Sequence, residues 1–550
     1  MFLPLGGSGE IGMNLNLYGY QGQWLMVDLG AAFADAYLPG VDLLFPDIAF
    51  IEERREDLTA LVLTHGHEDH IGAVAHLWPR LRCPIYATPF TAALVRAKLD
   101  EAGLLETAEV REMASGGRFD AGPFNVTYVP IAHSIAEGHG LAIETPAARI
   151  YHTGDWKLDA EPIIGPTGVA ERLTAIGDAG VRAMVGDSTN VFNPAASGSE
   201  TAVLDGLMDI VGRQRGRVVI TTFASNVARL DTVGRVAAAH HRHLVCLGRS
   251  MHRVVAAAKA TGYLADFPPI LDEDDAAHLP RNKMLVLCTG CQGESRAALS
   301  RLVHDEHRSL SLTAGDTVIF SSKIIPGNEI ALSRIMNQLA LRDIDTITER
   351  DAFIHVSGHP GRAELEQMYG WIRPEVAIPV HGEARHLKRH AEFARELGVG
   401  QAIAPKNGDI IRLAPGPAEI VDEAPVGRLA LDGGHIVPLD SASLVERRRL
   451  MSNGHLVVTL VVDEDGQLIA DPEVVARGVP SWEPDGALAD TLIDVIEEAV
   501  DRADPVERRR DSELAERVRI AARRTCRQET GKNAVTEVRV VRLEDVEVVQ

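Results

Sequence analysis

The sequence is poor in cysteine, with five residues in 550. So few cysteines do not form a disulfide framework. A low cysteine content is typical of proteins in the reducing cytoplasm, and we predict that location. No run approaches the roughly 18 consecutive apolar residues of a membrane-spanning helix, so no membrane-spanning helix is expected. The first residues lack the basic segment that opens a secretory signal peptide, and no signal peptide is expected either.

Positive charge is also scarce. The chain has 55 Lys and Arg against 78 Asp and Glu, a formal net charge of −23. Polyanion binding normally leaves a basic surface, so this balance argues against nucleic acid as a partner. The deficit is uneven, however, because residues 211–260 hold nine Arg and Lys and a single acid, Asp231. Such a change of sign indicates a separate module whose local field opposes that of the whole chain.

The length and the hydrophobic pattern predict several α/β domains. At 550 residues and 45% hydrophobic content, the chain exceeds one ordinary core and suggests about two to four globular domains. Residues 14–18 and 24–28 alternate as the strands of a hairpin. Buried strands at 218–220, 285–287 and 317–320 lie between helical stretches, which is an α/β pattern.

A glycine pattern near the start has two interpretations. Residues 7–12 read GSGEIG and match the GxGxxG turn of dinucleotide-binding folds. That fingerprint requires a helix directly after it, so that a pyrophosphate meets the helix N-terminus. Here residues 14–18 alternate as a strand instead, and a plain glycine turn is the better interpretation.

The strongest chemical signal is the segment 64–70, which reads THGHEDH and follows a short buried strand at 61–63. It places His65, His67, Asp69 and His70 within six residues, too polar a loop to bury without a partner. Imidazole and carboxylate are the ligands of zinc and similar divalent ions, and a catalytic site keeps one position open. We predict that this loop binds metal.

The H-x-H-x-D-H run resembles the motif of the metallo-β-lactamase superfamily. The resemblance implies three further ligands, and His133, Asp155 and His381 each follow an apolar run. One ion would be held by His65, His67, His133 and Asp155. The other would be held by Asp69, His70, Asp155 and His381. Two dications about 3.5–4 Å apart activate water and stabilise the attacking and leaving oxygens, so hydrolysis is expected. Zinc is favoured, with manganese and magnesium left open.

The spacing of the ligands indicates an inserted module. Asp155 and His381 are 381 − 155 = 226 residues apart, far more than a minimal fold of this type needs, and the basic stretch lies between them. The motifs around the gap resemble the β-CASP nucleases and the bacterial ribonuclease J family, in which Asp187, His359 and His381 match motifs A, B and C. Further matching segments are TFASN at 222–226, TGCQGE at 289–294 and SSKIIPGNE at 321–329.

This resemblance implies a metal-dependent ribonuclease. Family members degrade RNA from the 5′ end, favour a 5′-monophosphate and also cut internally, in RNA decay and processing. The catalytic residues would be Asp69, Asp187 and His359, with His359 as proton donor and Asp187 orienting a metal-bound histidine. Substrate phosphate would be held by His355, Val356, Ser357, Gly358 and His359. A second nucleotide contact would come from Ser225 and Asn226.

The resemblance also implies an architecture. A metallo-β-lactamase αββα sandwich would comprise 1–190 and 355–425, interrupted by an α/β β-CASP domain at 191–354. A linker at 426–454 would lead to a small α/β domain at 455–550, with a strand at 456–462, helices at 486–503 and 512–528, and a closing strand at 535–542. A homodimer or homotetramer is expected. Asp42 and Asp432 could hold a structural cation, although turn-forming acids are the alternative.

Three other functions stay open. A DNA-directed or mixed-specificity β-CASP nuclease would share every motif, since contacts to the ribose 2′-OH leave no pattern in the sequence. A small-molecule metallo-hydrolase would share the metal ligands but has no use for the long basic insertion. A non-enzymatic RNA-binding scaffold would not need all seven metal ligands.

Overall fold

The computed structural model describes residues 1–35, 37–325 and 327–543. Pro326 of the predicted motif 321–329 and residues 544–550 of the predicted C-terminal domain lie outside this range. The chain forms two compact units. The first comprises Met1–Ala32 and Leu44–Arg428, and the second comprises Phe33–Leu43 and Leu429–Gln550.

Regular elements follow one another closely along the first 190 residues. The strands are β1 (Phe2–Gly6), β2 (Ser8–Gly9), β3 (Leu15–Tyr20), β4 (Gln23–Val27), β5 (Ala32–Phe33), β6 (Val41–Pro46), β7 (Leu58–Val62), β8 (Ile85–Ala87), β9 (Val110–Glu112), β10 (Arg118–Ala121), β11 (Phe124–Pro130), β12 (His139–Glu144), β13 (Arg149–His152) and β14 (Ala183–Asp187). The helices are α1 (Ala49–Glu52), α2 (Glu68–Ile71), α3 (Val74–Leu81), α4 (Pro89–Glu101) and α5 (Val169–Asp178).

Strands and helices then alternate up to residue 354. The strands are β15 (Val218–Thr221), β16 (His243–Leu247), β17 (Met284–Cys288), β18 (Thr317–Phe320) and β19 (Asp345–Ile347). The helices are α6 (Glu200–Arg213), α7 (Val227–Ala239), α8 (Arg249–Ala260), α9 (Glu273–Ala276), α10 (Ala298–Val303) and α11 (Glu329–Ala340).

The remaining described residues complete both units. The strands are β20 (Val376–Val380), β21 (Gly382–Glu383), β22 (Gln401–Ala402), β23 (Asp409–Arg412), β24 (Glu419–Glu423), β25 (Arg428–Asp432), β26 (His435–Pro438), β27 (His455–Val462), β28 (Glu473–Arg477) and β29 (Val535–Arg542). The helices are α12 (Arg362–Ile372), α13 (Ala384–Glu396), α14 (Ala442–Asn453), α15 (Ala487–Asp501), α16 (Pro505–Arg508) and α17 (Asp511–Thr530).

Two large sheets pack face to face in the first unit. One has the order β24-β23-β1-β3-β4-β7-β8-β9 and the other β10-β11-β12-β13-β14-β20-β22. Tyr18 and Val27 of the first sheet share a buried core with Tyr128 and Leu141 of the second. A further core lies between the second sheet and the helices α5, α12 and α13. The expected metallo-β-lactamase sandwich is therefore confirmed.

The inserted α/β module is also confirmed. Its five strands form one sheet in the order β16-β17-β15-β18-β19, and every neighbouring pair is parallel. Strands of such a sheet are buried on both faces, which explains the continuous apolar runs seen in the sequence. The hairpin of β3 and β4 is confirmed too, and because a strand follows the glycines of 7–12, no dinucleotide-binding turn is formed.

The second unit contains most residues of one small sheet and the whole of another. One has the order β26-β25-β6-β5, and the other, β28-β27-β29, packs against α15 and α17. The predicted strands and helices beyond residue 455 correspond to β27, α15, α17 and β29. Residues 426–454, expected as a linker, form β25, β26 and α14, and their glycine, proline and aspartate residues lie mainly in the turns between these elements. None of the described helices is long and apolar enough to cross a membrane.

Candidate metal centre

The sandwich brings the predicted ligands to one end of its strands. The loop 64–70 follows β7, the segments with His133 and Asp155 follow β11 and β13, and His381 directly follows β20. Strands β13, β14 and β20 run parallel, so their carboxyl ends meet at the same edge. Ligands at the carboxyl ends of parallel strands are the usual site geometry of α/β sheets.

Three imidazoles form the first cluster. Nε2 of His65 lies 3.0 Å from Nδ1 of His67, and Nε2 of His133 lies 3.1 Å from the same atom. The nearest carboxylate oxygen, Oδ2 of Asp155, is 4.0 Å from His65 and 3.9 Å from His133. Tetrahedral zinc, with Zn–N bonds of about 2.0–2.1 Å, places neighbouring ligand atoms about 3.3 Å apart. The spacing of these donors fits such an ion.

Two carboxylates and two imidazoles form the second cluster. Nε2 of His70 lies 3.1 Å from Asp155 and 3.6 Å from Asp69. Nε2 of His381 lies 3.1 Å from Asp69 and 3.4 Å from Asp155. The four donor atoms all fall within 4.8 Å of one another. Asp155 is thus the carboxylate that approaches both clusters.

Hydrogen bonds on the far side of each ring decide which nitrogen faces the centre. His133 donates through Nδ1 to the Gly358 carbonyl at 2.6 Å, and His70 donates through Nδ1 to Asp28 at 2.7 Å. His65 and His381 have a threonine hydroxyl at Nδ1, 3.0 Å and 2.6 Å away. Nε2 is therefore the nitrogen that each of these four rings turns to the centre and would offer to a metal ion, as in carboxylate–histidine–zinc arrangements.

The charge of the first cluster suits a cation. Burial and the neighbouring histidines lower the pKa of His65 and His133 well below the ordinary value. Burial also lowers the pKa of His67, to about 4. All three rings are therefore neutral at physiological pH, which is the form that ligates metal.

The second cluster carries excess negative charge. Burial alone would lower the pKa of His70, but Asp155, Asp69 and Asp28 outweigh it and raise that pKa well above its ordinary value. His381 behaves in the same way, and its pKa rises to about 9 because of Asp155 and Asp69. Protons on these rings compensate the buried carboxylates, and a divalent ion would meet the same electrostatic requirement.

Asp28 is a functional residue that the sequence reasoning missed. Its carboxylate accepts from the Thr64 amide and hydroxyl, both at 2.8 Å, in addition to His70. It is fully buried and holds both the start of the metal-binding loop and one ligand ring. A signal was available, because Asp28 directly follows the apolar run Leu25–Val27, as the ligand-bearing segments follow theirs.

Asp187 and His359 lie together beside the clusters. His359 donates through Nδ1 to Asp187 at 2.8 Å, and Asp155 lies 3.9 Å from the same nitrogen. Asp187 is 3.7 Å from His381, so its hydrogen bond goes to His359 rather than to a ligand. Burial opposes protonation of His359, but the Asp187 charge and hydrogen bond raise its pKa.

The segment 355–359 is tied directly to the centre. Asn190 donates to the Ser357 hydroxyl at 2.9 Å and to the His359 carbonyl at 3.3 Å. The Ser357 oxygen also accepts from the His359 amide at 3.1 Å, which leaves the hydroxyl proton for another acceptor. A Cβ on Gly358 would lie 2.6 Å from Oγ of Ser134, so only glycine fits there.

His355 lies near three basic side chains, and the Val356 side chain after it is buried in apolar packing. Burial, followed by Arg229, Lys323 and Lys157, lowers the pKa of His355 to about 3. Its Nδ1 is buried without a hydrogen-bond partner in the structure. Arg229 and Lys157 are paired with Glu200 and Asp159, so the unpartnered nitrogen of this neutral ring is the group left for a hydrogen bond to a ligand.

The other predicted contact residues lie in different surroundings. Asn226 caps α7 by accepting from the Arg229 amide at 2.9 Å, and it donates to Glu200 at 3.3 Å. Its carboxamide thus has partners within the protein, while Ser225 before it is half-buried. A nucleotide contact by this pair stays a prediction.

In the second unit, an arginine takes the place of the structural cation suggested for Asp42 and Asp432. Arg447 pairs with both carboxylate oxygens of Asp432, at 2.8 and 2.9 Å, and lowers the pKa of that carboxyl. Asp432 therefore already has a guanidinium as its counter-charge. A metal ion at Asp42 and Asp432 stays a prediction, and the bidentate pair argues against it.

Family models match most of the chain in succession. A beta-lactamase superfamily domain matches residues 38–174, and the beta-CASP domain of ribonuclease J matches 215–339. A Zn-dependent metallo-hydrolase RNA specificity domain matches 344–405, and the ribonuclease J C-terminal domain matches 442–543.

Individual relatives agree with these models. Ribonuclease J of Sinorhizobium meliloti is 45% identical over 548 residues, covering 99% of this chain and 97% of that protein. Ribonuclease J 1 of Streptococcus pyogenes is 36% identical over 478 residues, covering 86% and 85%. Among solved structures, a protein of unknown function from Enterococcus faecalis has a TM-score of 0.51 at 17% identity, covering 74% of this chain and 98% of that one, a likeness of fold alone.

Proposed function

The chain belongs to the ribonuclease J family, and from this membership we propose that it is a metal-dependent ribonuclease. The observation that carries the proposal is the convergence of five imidazole rings with Asp69 and Asp155 in two adjacent clusters. When bound, two divalent ions supply activated water and offset the charge of the scissile phosphate. We propose that these ions are zinc.

The residues around the clusters fit phosphodiester hydrolysis. Because an ionised carboxylate only accepts, His359 donates to Asp187 through Nδ1 and keeps a second proton at Nε2 when charged. That proton is placed for the leaving oxygen, with Asp187 fixing the ring. Asp69 and Asp155, which lie between His70 and His381, would hold the cations that supply this chemistry.

The phosphate-binding segment supports a preference for the 5′ end. The Ser357 hydroxyl and the positive surroundings of His355 lie in the same segment as His359. We propose that this segment holds the 5′-monophosphate, so that a triphosphate is rejected by its bulk and charge. The chain would then degrade RNA from the 5′ end and also cut internally, in the cytoplasm, as a homodimer or homotetramer.

Gly358→Ala tests the segment 355–359. The added methyl would meet Ser134 and come within 3.0 Å of the His133 ring, so the loop must move. A misplacement of about 1 Å costs about a hundredfold in rate, and kcat/KM for RNA cleavage should fall by that order. The matched control is Gly370→Ala in α12, where a methyl meets nothing within 4 Å. Unchanged kcat/KM in Gly358→Ala would contradict the proposed role.

Metal content combined with product mapping tests the function. We expect two divalent ions per chain, and loss of cleavage when a chelator removes them. Mononucleotides should be released from 5′-monophosphate RNA and not from 5′-triphosphate RNA. Protein that holds no ion would revive the RNA-binding scaffold, and internal fragments alone would remove the 5′ preference.

A DNA oligomer of the same sequence as the RNA tests the nearest alternative, a nuclease that cleaves DNA. Equal cleavage of RNA and DNA 5′-monophosphate oligomers would identify a mixed-specificity β-CASP nuclease instead of a ribonuclease. Efficient hydrolysis of a lactam or thioester, with neither nucleic acid cleaved, would identify a small-molecule hydrolase. The basic stretch 211–260 in the insertion favours the nuclease over this second possibility.

A further inference from the structure

A large aromatic side chain is exposed next to the metal centre. Phe192 is 51% exposed, whereas Val191 before it is fully buried in the core under the second sheet. The backbone at this point is thus fixed by packing, and the ring is presented to solvent. A half-exposed aromatic ring beside a site that binds nucleic acid is suited to stacking on a base.

The residues just before Phe192 connect it to the centre. Asp187 accepts from His359, and Asn190 donates to Ser357. Thr189 lies 2.6 Å from Nδ1 of His381. Phe192 therefore stands two residues beyond the last of three side chains that contact catalytic or ligand residues.

The neighbours of Phe192 belong to the first turn of α13. Its ring lies 5.2 Å from the His386 ring, centroid to centroid, at an interplanar angle of 65°. His386 is 7% exposed, and its Nδ1 is buried without a hydrogen-bond partner. The Arg385 guanidinium lies 5.8 Å from the Phe192 centroid, and its side chain is 65% exposed.

Two of these side chains, Phe192 and Arg385, offer what one nucleotide requires. The phenyl ring offers a flat face for the base, and the guanidinium beside it offers a charge for a phosphate. Arg385 is held loosely, by a single exposed pair with Glu383 at 2.8 Å. Exposed pairs of this kind are weak, so the guanidinium can turn to a phosphate at little cost.

We propose that Phe192 and Arg385 form a nucleotide-binding subsite, in which one base of the single-stranded substrate stacks on Phe192. The inference rests on the proposed function, since it assumes a nucleic-acid substrate at the metal centre. Stacking depends on the π-face that every base has, so the subsite holds the strand in position without reading its sequence.

The test is a binding measurement in the Asp69→Asn background, where the oligomer stays intact. Fluorescence anisotropy gives the Kd for a 5′-monophosphorylated single-stranded RNA and for a series of the same oligomer, each lacking one base. With Phe192 present, removing one particular base should weaken binding on the order of tenfold. In Phe192→Ala and Phe192→Leu the intact oligomer should itself bind about tenfold more weakly, because its base has no ring to stack on. Removing that base should then cause no further loss of affinity. Phe192→Tyr should retain the penalty for removing that base.

Two further measurements separate the possible outcomes. Phe33→Ala, which removes a 76% exposed ring in the second unit, should keep the position-specific penalty. Equal loss of affinity for every oligomer in Phe192→Ala, or no loss at all, would overturn the subsite. Cleavage by the unaltered chain reports separately on the proposed function. If it cuts only DNA, the same series made as DNA tests the subsite independently of the ribonuclease assignment.

Discussion

Asp69→Asn should abolish cleavage while leaving RNA binding largely intact. The substitution keeps the shape of the side chain but removes one of the two carboxylates that face His70 and His381. A bound divalent ion stabilises the transition state by several kcal/mol, so its loss should lower kcat by at least about a thousandfold. The measurements are kcat on 5′-monophosphate RNA, metal content and the Kd for RNA.

The residue beside Asp69 provides the matched control. Glu68 begins the same helix, but its side chain is 52% exposed and paired with Lys98 at 2.7 and 2.8 Å. Such a pair is worth at most about 1 kcal/mol, so Glu68→Gln should cleave at close to the unaltered rate. An Asp69→Asn protein that cleaves as fast as Glu68→Gln would end the two-metal assignment.

Arg229→Ala should destabilise the first unit severely. Arg229 is fully buried in α7, bonds both carboxylate oxygens of Glu200 at 3.0–3.1 Å and donates to the Ser321 and Ile354 carbonyls at 2.8 and 3.1 Å. Removing one partner of a buried pair costs about 3–5 kcal/mol, because the remaining charge is left uncompensated. Urea and thermal denaturation should show the loss. Cleavage should fall as well, since Ile354 leads directly into the segment 355–359.

A double variant tests whether the unpaired charge of Glu200 causes the loss of stability in Arg229→Ala. Replacing both charges, in Arg229→Met with Glu200→Met, should recover much of the free energy of unfolding, since no buried charge then remains unpaired. A double variant as unstable as the sum of the two single variants would refute this explanation. Arg213→Ala is the control on α6, the helix that carries Glu200, because its pair with Asp209 is exposed on both sides and the variant should change the free energy of unfolding by about 1 kcal/mol or less.

The sequence predicted much of the core, and the structure brings the expected ligands together, for one physical reason. Side chains such as His65 and His381 come directly after apolar strands. Those strands can be recognised from short stretches of the sequence, because their apolar residues form continuous runs. The same rule applied to Asp28 would have identified the carboxylate that holds His70. What the rule does not supply is the direction of each ring, which depends on distant partners such as Gly358 for His133.

Long-range pairing explains the other differences. No local pattern shows that residues 33–43 belong with 429–550 in the second unit, because β6 and β25 are joined only in the folded sheet. In the same way, the structure adds a bond from Asn226 to Glu200, two residues 26 positions apart that no local pattern connects. The cap that Asn226 makes on the Arg229 amide is local, and its nucleotide contact stays a prediction.

The position of β20 in the second sheet has a consequence for synthesis of the chain. This strand pairs along its whole length with β14, from Ala183↔Val376 to Asp187↔Val380. While a ribosome translates the intervening residues, β14 presents an unpaired edge, which is a site for aggregation or chaperone binding. The residues of the first cluster have all been made once Asp155 has emerged, but Gly358, which orients His133, and His381 of the second cluster come only after the insertion. A partly made chain therefore lacks the second cluster, and the nuclease centre forms only when translation has passed the insertion.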